Sequence, residues 1–151
     1  MERIILNSGL PGIVLIDAVT DADSAAIAGR KLFRHAPLYH GIESLAQLGA
    51  YHVRFITDFE KHAFLLGVKH CALPSRKELH STFRIFGNLL GKGSSSYSYR
   101  LRAVGDDATE IAGEFLFAAV DYDETDFKRD ILREHYRKVF SCLKNSSKTD
   151  C

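Results

Sequence analysis

The chain has 151 residues, enough for one domain with a substantial core. Hydrophobic residues make up 46% and charged residues 26%, as in an ordinary soluble globule, and the formal net charge of +1 gives no general attraction to nucleic acid or to a membrane surface. No apolar run approaches the length of a membrane span, the opening Met1-Glu2-Arg3-Ile4-Ile5-Leu6 lacks a signal-peptide layout, and three widely spaced cysteines (Cys71, Cys142, Cys151) show no metal spacing and point to a reducing cytoplasm.

Gly9-Leu10-Pro11-Gly12 is a turn signal, and the continuous apolar run at 13–16 predicts a short buried strand. Asp21-Ala22-Asp23 turns the chain, and residues 24–31 read as the returning strand of a hairpin. Residues 32–40 read as a loop in which Pro37 keeps Ala36 extended until just before Gly41. From Gly41 to Phe55 or Ile56 the pattern is helical. Ile42, Leu45, Ala46, Gly49, Ala50 and Val53 recur at helical spacing, and Leu48 and Phe55 fall off that stripe. A helix with so little polar surface is wrapped by the rest of its domain.

After a polar connection at 58–62, residues 64–71 (FLLGVKHC) read as a strand, with Gly67 as a bulge or close-approach point. A loop at 73–77 leads to a long strand over 78–90. There Leu79, Phe83 and Ile85 point one way and His80, Thr82 and Arg84 the other. Gly91-Lys92-Gly93 turns the chain into a strand over 94–104, and Gly105-Asp106-Asp107 turns it again into a strand over 110–122. Three long strands joined by tight turns form an antiparallel meander. A final amphipathic helix over about 126–143 and a polar, disordered tail over 145–151 complete the chain. The expected class is α+β: a single domain over 1–144 in which a curved antiparallel sheet wraps one central helix, the hotdog fold, with a further helix at the C-terminus.

The segment Gly41-Ile42-Glu43-Ser44-Leu45-Ala46-Gln47 resembles the central-helix motif of the hotdog 3-hydroxyacyl-[acyl-carrier-protein] dehydratases, which carry a Glu-x-x-Ala-Gln pattern there. Residues 64–71, the Leu73-Pro74 loop and the meander from Phe83 to Ala118 are similar to the strands and loop C-terminal to that helix in the family. The chain looks most like the dehydratase-like branch of aryl-polyene-type lipid pathways, where GIE-x-x-AQ and FLLG occur together, and the likeness spans roughly Gly12 to Tyr122. It implies an acid at Glu43, an amide partner at Gln47, and an acid–base site at a dimer interface. It also implies a substrate carried as a thioester on acyl carrier protein or coenzyme A, with no cofactor and no metal. The family's upstream His-Phe-Pro-Gly segment is missing here; His35, eight positions before Glu43, and His40, three before it, are the candidate bases, and His35 is the preferred one because it precedes Pro37 and has the reach of a loop.

Dehydrating a 3-hydroxyacyl thioester needs a base for the proton beside the carbonyl, an acid for the departing hydroxyl, and donors for the enolate-like oxygen. An imidazole suits the first task. A carboxylic acid suits the second when it keeps its proton. Dry surroundings favour the protonated form by more than the ~0.3–1 kcal/mol with which a helix N-terminus favours the anion. Gly41, without a side chain and at the expected helix start, suits the third; with Gln47 and Gly67 it makes the expected substrate-binding set. Glu43 and Gln47 lie at i, i+4 on one helix face. Three functions stay open: a dehydratase, a thioesterase using Glu43, and a non-catalytic partner of an active paralogue, each built as a homo- or hetero-oligomer. Arg76, Lys77, Arg100 and Arg102 are candidate contacts for an acidic carrier protein.

Overall fold

The structure is a computed structural model and describes residues 14–122 and 128–145, the side chains of 128 and 129 excepted. The expected turn at 9–12 and the tail at 146–151 lie outside the described residues. The elements are β1 (Ala18–Ala22), β2 (Ala26–Pro37), α1 (Leu38–Ile56), β3 (Lys61–Ala72), β4 (Glu78–Lys92), β5 (Ser96–Gly105), β6 (Glu110–Asp121) and α2 (Lys128–Lys144). The strands form one antiparallel six-stranded sheet in the order β1-β2-β4-β5-β6-β3, curved around α1. This is the hotdog arrangement.

Alternation explains the packing. Ile27 and Phe33 of β2, Leu79, Phe83 and Ile85 of β4, Tyr99, Leu101 and Ala103 of β5, and Ile111, Phe115 and Phe117 of β6 all face inward and are buried. They close on Leu45, Leu48 and Val53 of α1, each fully buried. Helix and sheet approach closely at Gly49, where a Cβ would stand 2.5 Å from the Phe117 ring and 3.1 Å from Leu101.

His52 ties three elements together. Its Nε2 lies 2.7 Å from the carbonyl of Asp23, which can only accept. Nε2 therefore donates, and Nδ1 accepts from the Tyr99 hydroxyl at 2.6 Å. Burial holds this imidazole below its usual titration range. The helix ends in a Schellman-type turn: the N–H of Phe59 donates to Arg54 O at 2.6 Å and that of Asp58 to Phe55 O at 3.1 Å. Asp58 (φ 55°) and Phe59 (φ 61°) are both left-handed.

Three expectations need correction. The first strand of the hairpin is Ala18–Ala22, not 13–16, and the chain turns at 23–25. Leu15 and Ile16 are buried, yet they belong to no strand; side chains of α1 hold Leu15 in place instead. Residues 32–37 are not a loop: they extend β2, because β4 pairs with them as far as Pro37↔Glu78. Helix α1 also starts three residues early. Pro37 is its N-cap, without a side-chain cap bond, and the first N–H, of Leu38, donates to Lys77 O at 3.0 Å.

Candidate active site

Helix α1 has two unlike sides. Gly41, Leu45, Leu48 and His52 lie along the side that meets the sheet, where a Cβ on Gly41 would run into Ile111 and Leu79. On the other side Glu43, Gln47, Ala50 and Arg54 follow at i, i+4, i+7 and i+11, a stripe about 16 Å long. Glu43 and Gln47 are each only 8% exposed. A carboxyl and an amide are thus sheltered on the one side of an apolar helix that the sheet leaves uncovered.

Gln47 is held in place. Its Oε1 accepts from the N–H of Leu15 at 2.8 Å, while the hydroxyl of Ser44 donates to Leu15 O at 2.6 Å. The two side chains treat Leu15 as an adjoining strand would, and so clip the segment before β1 onto the helix. Sequence reasoning missed Ser44 and Leu15. The signal was there: two polar residues at i, i+3 on an otherwise apolar helix need a partner.

At the far end of the stripe Arg54 is 3% exposed. Its guanidinium lies 3.8 Å from the centroid of Tyr136 on α2 and 5.5 Å from that of Tyr51, and Nη2 donates to Ala63 O at 3.2 Å. The π faces and the carbonyl-rich helix end both favour a cation here. Burial raises the hydroxyl of Tyr51 well above the usual tyrosine range and pushes that of Tyr136 up as well, so both rings are neutral.

The two histidine candidates have separate fates. His40 lies in the first turn of α1, half-buried, with its ring edge on Tyr39. It precedes Glu43 by one turn on the same flank, where side chains at i, i+3 are neighbours. His35 sits in a bulge of β2, between the pairs Phe33↔Ser81 and Ala36↔Leu79, with φ 50°. Its N–H donates to His80 Nδ1 at 3.2 Å, its ring stacks on His80 at 4.1 Å, and its Nδ1 lies 3.5 Å from Glu78. The bulge fixes a side chain that a loop would have left mobile.

The expected substrate-binding glycines also differ from expectation. Gly41 is the fourth residue of α1, so its N–H belongs to the helical ladder and reaches Pro37 O. The first-turn donors are those of Tyr39 and His40. Gly67 marks a bulge in β3, as expected, but a Cβ there would meet nothing within 4 Å. It lines a cleft of about 270 Å³ with Leu66, Val68, Lys69, Ser98 and Leu116, to which α1 contributes no residue.

Among the described residues no cluster of three or more His, Cys, Asp or Glu side chains can hold a metal ion, and no helix is long and apolar enough to cross a membrane. Burial pushes the thiol of Cys71 up, against a role as thiolate nucleophile.

No family model matches the chain, and no curated protein matches it. Solved structures do. A chain of the dehydratase heterocomplex ApeI:P from Xenorhabdus doucetiae superposes with TM-score 0.60 at 16% identity, covering 78% of this chain and 89% of that one. A mutant thioesterase from Pseudomonas aeruginosa gives 0.58 at 15% identity, over 69% and 81%. A Streptococcus mutans protein solved with acetyl CoA gives 0.58 at 11% identity, over 71% and 90%. What the chain shares with these dehydratase and thioesterase structures, and with the acetyl-CoA complex, is the hotdog fold.

Proposed function

We propose that the protein is a dehydratase-like hotdog enzyme acting on 3-hydroxyacyl thioesters carried by acyl carrier protein or coenzyme A. The observation that carries this reading is the sheltered carboxyl of Glu43, flanked by His40 one turn before and Gln47 one turn after, on the side of α1 that the sheet does not cover. His40 takes the proton beside the thioester carbonyl. Glu43 gives its proton to the departing hydroxyl, and the products are an enoyl thioester and water. The first-turn N–H groups of Tyr39 and His40 face the charge that builds on the thioester oxygen. Gln47, anchored on Leu15, keeps the wall beside Glu43 in place.

A second copy of the chain, or a paralogue, completes the assembly in this reading. Strand β3 is an outer strand of the sheet, and Leu66 is 59% exposed on it. Antiparallel pairing of two such strands removes an open ladder.

A thioesterase is the second reading, and one observation favours it. His35 is tied to His80 and Glu78, which leaves His40 as the single candidate imidazole for dehydration. A hydrolase in which Glu43 activates water needs none. Incubating the protein with 3-hydroxyacyl and unsubstituted acyl thioesters separates the two. Enoyl product without free thiol supports dehydration; free thiol from both substrates overturns it. Comparing pH–rate curves for His40→Ala and His35→Ala then assigns the base: loss confined to His40→Ala is expected.

A further inference from the structure

Arg100, Arg102 and Arg76, three of the four cations that the sequence offers to an acidic partner, are already matched within the chain. Arg100 meets Glu114 at 3.3 Å, Arg102 meets Glu110 at 2.6 Å, and Arg76 meets Asp107 at 2.9 Å. A different set is not. Arg30 and Arg34 on β2 and Arg84 on β4 are exposed, and no ion pair joins any of the three to a carboxylate among the described residues. Arg30 and Arg84 stand directly opposite each other on paired strands. Their other cross-strand neighbours are Ala18 and Val104, so no acid lies across either strand. Like charges placed directly opposite destabilise a sheet on its own. Asp17, just before β1, is taken up by Lys31 and by the N–H of Leu32.

We infer that this outer face of β2 and β4 is a docking surface for an acidic protein, which under the proposed function is the carrier that presents the acyl thioester. Size argues for a protein rather than a small anion. Arg30 and Arg34 are four residues apart on a strand, roughly 13 Å, too far for one phosphate to bridge. That span matches carboxylates about eight or nine residues apart on a helix, at about 1.5 Å rise per residue. The exposed Leu32 between them adds the apolar contact that protein interfaces use. The patch is also bounded. Asp21 and Asp23 border it on one side and Glu110 and Glu114 on the other, which opposes an extended phosphate backbone but not a compact acidic helix. Strand β2 runs from this face directly into α1, the helix that carries Glu43 in its second turn.

The test uses the full chain and a purified acyl carrier protein in its apo form, without prosthetic group, so that binding is read apart from chemistry. Titration at low salt gives the parent affinity. Arg30→Ala/Arg84→Ala and Arg30→Ala/Arg34→Ala/Arg84→Ala are expected to weaken it at least tenfold, with thermal melts no lower than the parent's because a repulsion has been removed. Glu43→Gln is expected to bind as the parent does, and Arg100→Ala/Arg102→Ala to lose less than threefold. With an active enzyme, KM for the carrier-bound substrate rises in the triple variant while kcat/KM for the coenzyme A thioester is unchanged. Unaltered carrier binding in the triple variant overturns the docking surface and leaves the proposed reaction standing. Arginine-dependent binding by a chain inert on every thioester keeps the surface and removes the reaction. Tighter binding of a labelled DNA duplex than of the carrier, lost in the same variant, overturns the choice of partner.

Discussion

Gly49→Ala sets two measurable effects against each other at the contact between helix and sheet. In a helix interior alanine is favoured over glycine by ~0.8–1 kcal/mol, so propensity alone predicts a more stable protein. The added methyl, however, would stand 2.5 Å from Cζ of Phe117 and 3.1 Å from a methyl of Leu101, both fully buried. Ordinary contact needs about 1 Å more, and the Phe117 ring is itself held edge-on by Tyr99 at 5.6 Å, so it has nowhere to retreat. Overpacking of this kind costs about 1–3 kcal/mol, and a site closed on two sides belongs at the upper end. The net expectation is a loss of about 2 kcal/mol, or ~4–8 °C in melting temperature for a domain of this size. Gly67→Ala is the control, since its Cβ meets nothing within 4 Å; it is expected to stay within about 0.5 kcal/mol of the parent. Paired thermal and urea melts decide the matter. A Gly49→Ala protein as stable as the parent, or a Gly67→Ala protein that loses as much, refutes the close packing of α1 on β5 and β6.

The remaining predictions concern the supports of the helix. Gln47→Leu keeps the volume but strands the Leu15 N–H, at a cost of ~1–3 kcal/mol; combined with Ser44→Ala the losses are less than additive, because both side chains hold the same residue, and a double-mutant cycle by urea melts reads the coupling. His52 is neutral in the fold because burial disfavours its charge, while the unfolded chain takes up the proton near pH 6.5. Below that pH the unfolded state binds more protons, so stability falls as pH drops from about 6.5 toward 5, and His52→Gln flattens this part of the melting-temperature profile. Asp58→Gly relieves a left-handed residue at the end of α1 and raises stability by about 0.5 kcal/mol, since the Asp58 carbonyl that accepts from Arg137 at 3.1 Å survives the change; a lower melting temperature argues against the Schellman-type turn.

The parts of the fold that could be read from the sequence are those with a local signature. The meander shows itself by period-2 alternation and glycine-rich turns, and β4, β5 and β6 fall within two residues of their expected limits. The central helix shows as a 3.6-residue apolar repeat. Residues 32–37 carry no such sign. Arg34, His35 and Pro37 look like a loop, and only pairing with β4, more than forty residues away, makes them a strand. The same distance hides the state of His35, whose partner His80 lies 45 positions on. Within the candidate site, Glu43 and Gln47 were legible because polar residues on an apolar helix stand out. The identity of what Gln47 touches was not, since Leu15 offers only its backbone. Arg54 gives no sign for the opposite reason: its counterparts are two tyrosine faces, one of them on α2, and no sequence spacing encodes a stacking contact between remote helices.

The proposed reaction depends on a proton leaving the side chain at position 43. The most direct measurement is turnover of a 3-hydroxyacyl thioester by Glu43→Gln, followed by enoyl absorbance, beside a melting curve of the same preparation. Loss of at least a thousandfold in kcat with an unchanged melting temperature is the predicted result; an enzyme that still dehydrates at the parent rate contradicts the assignment.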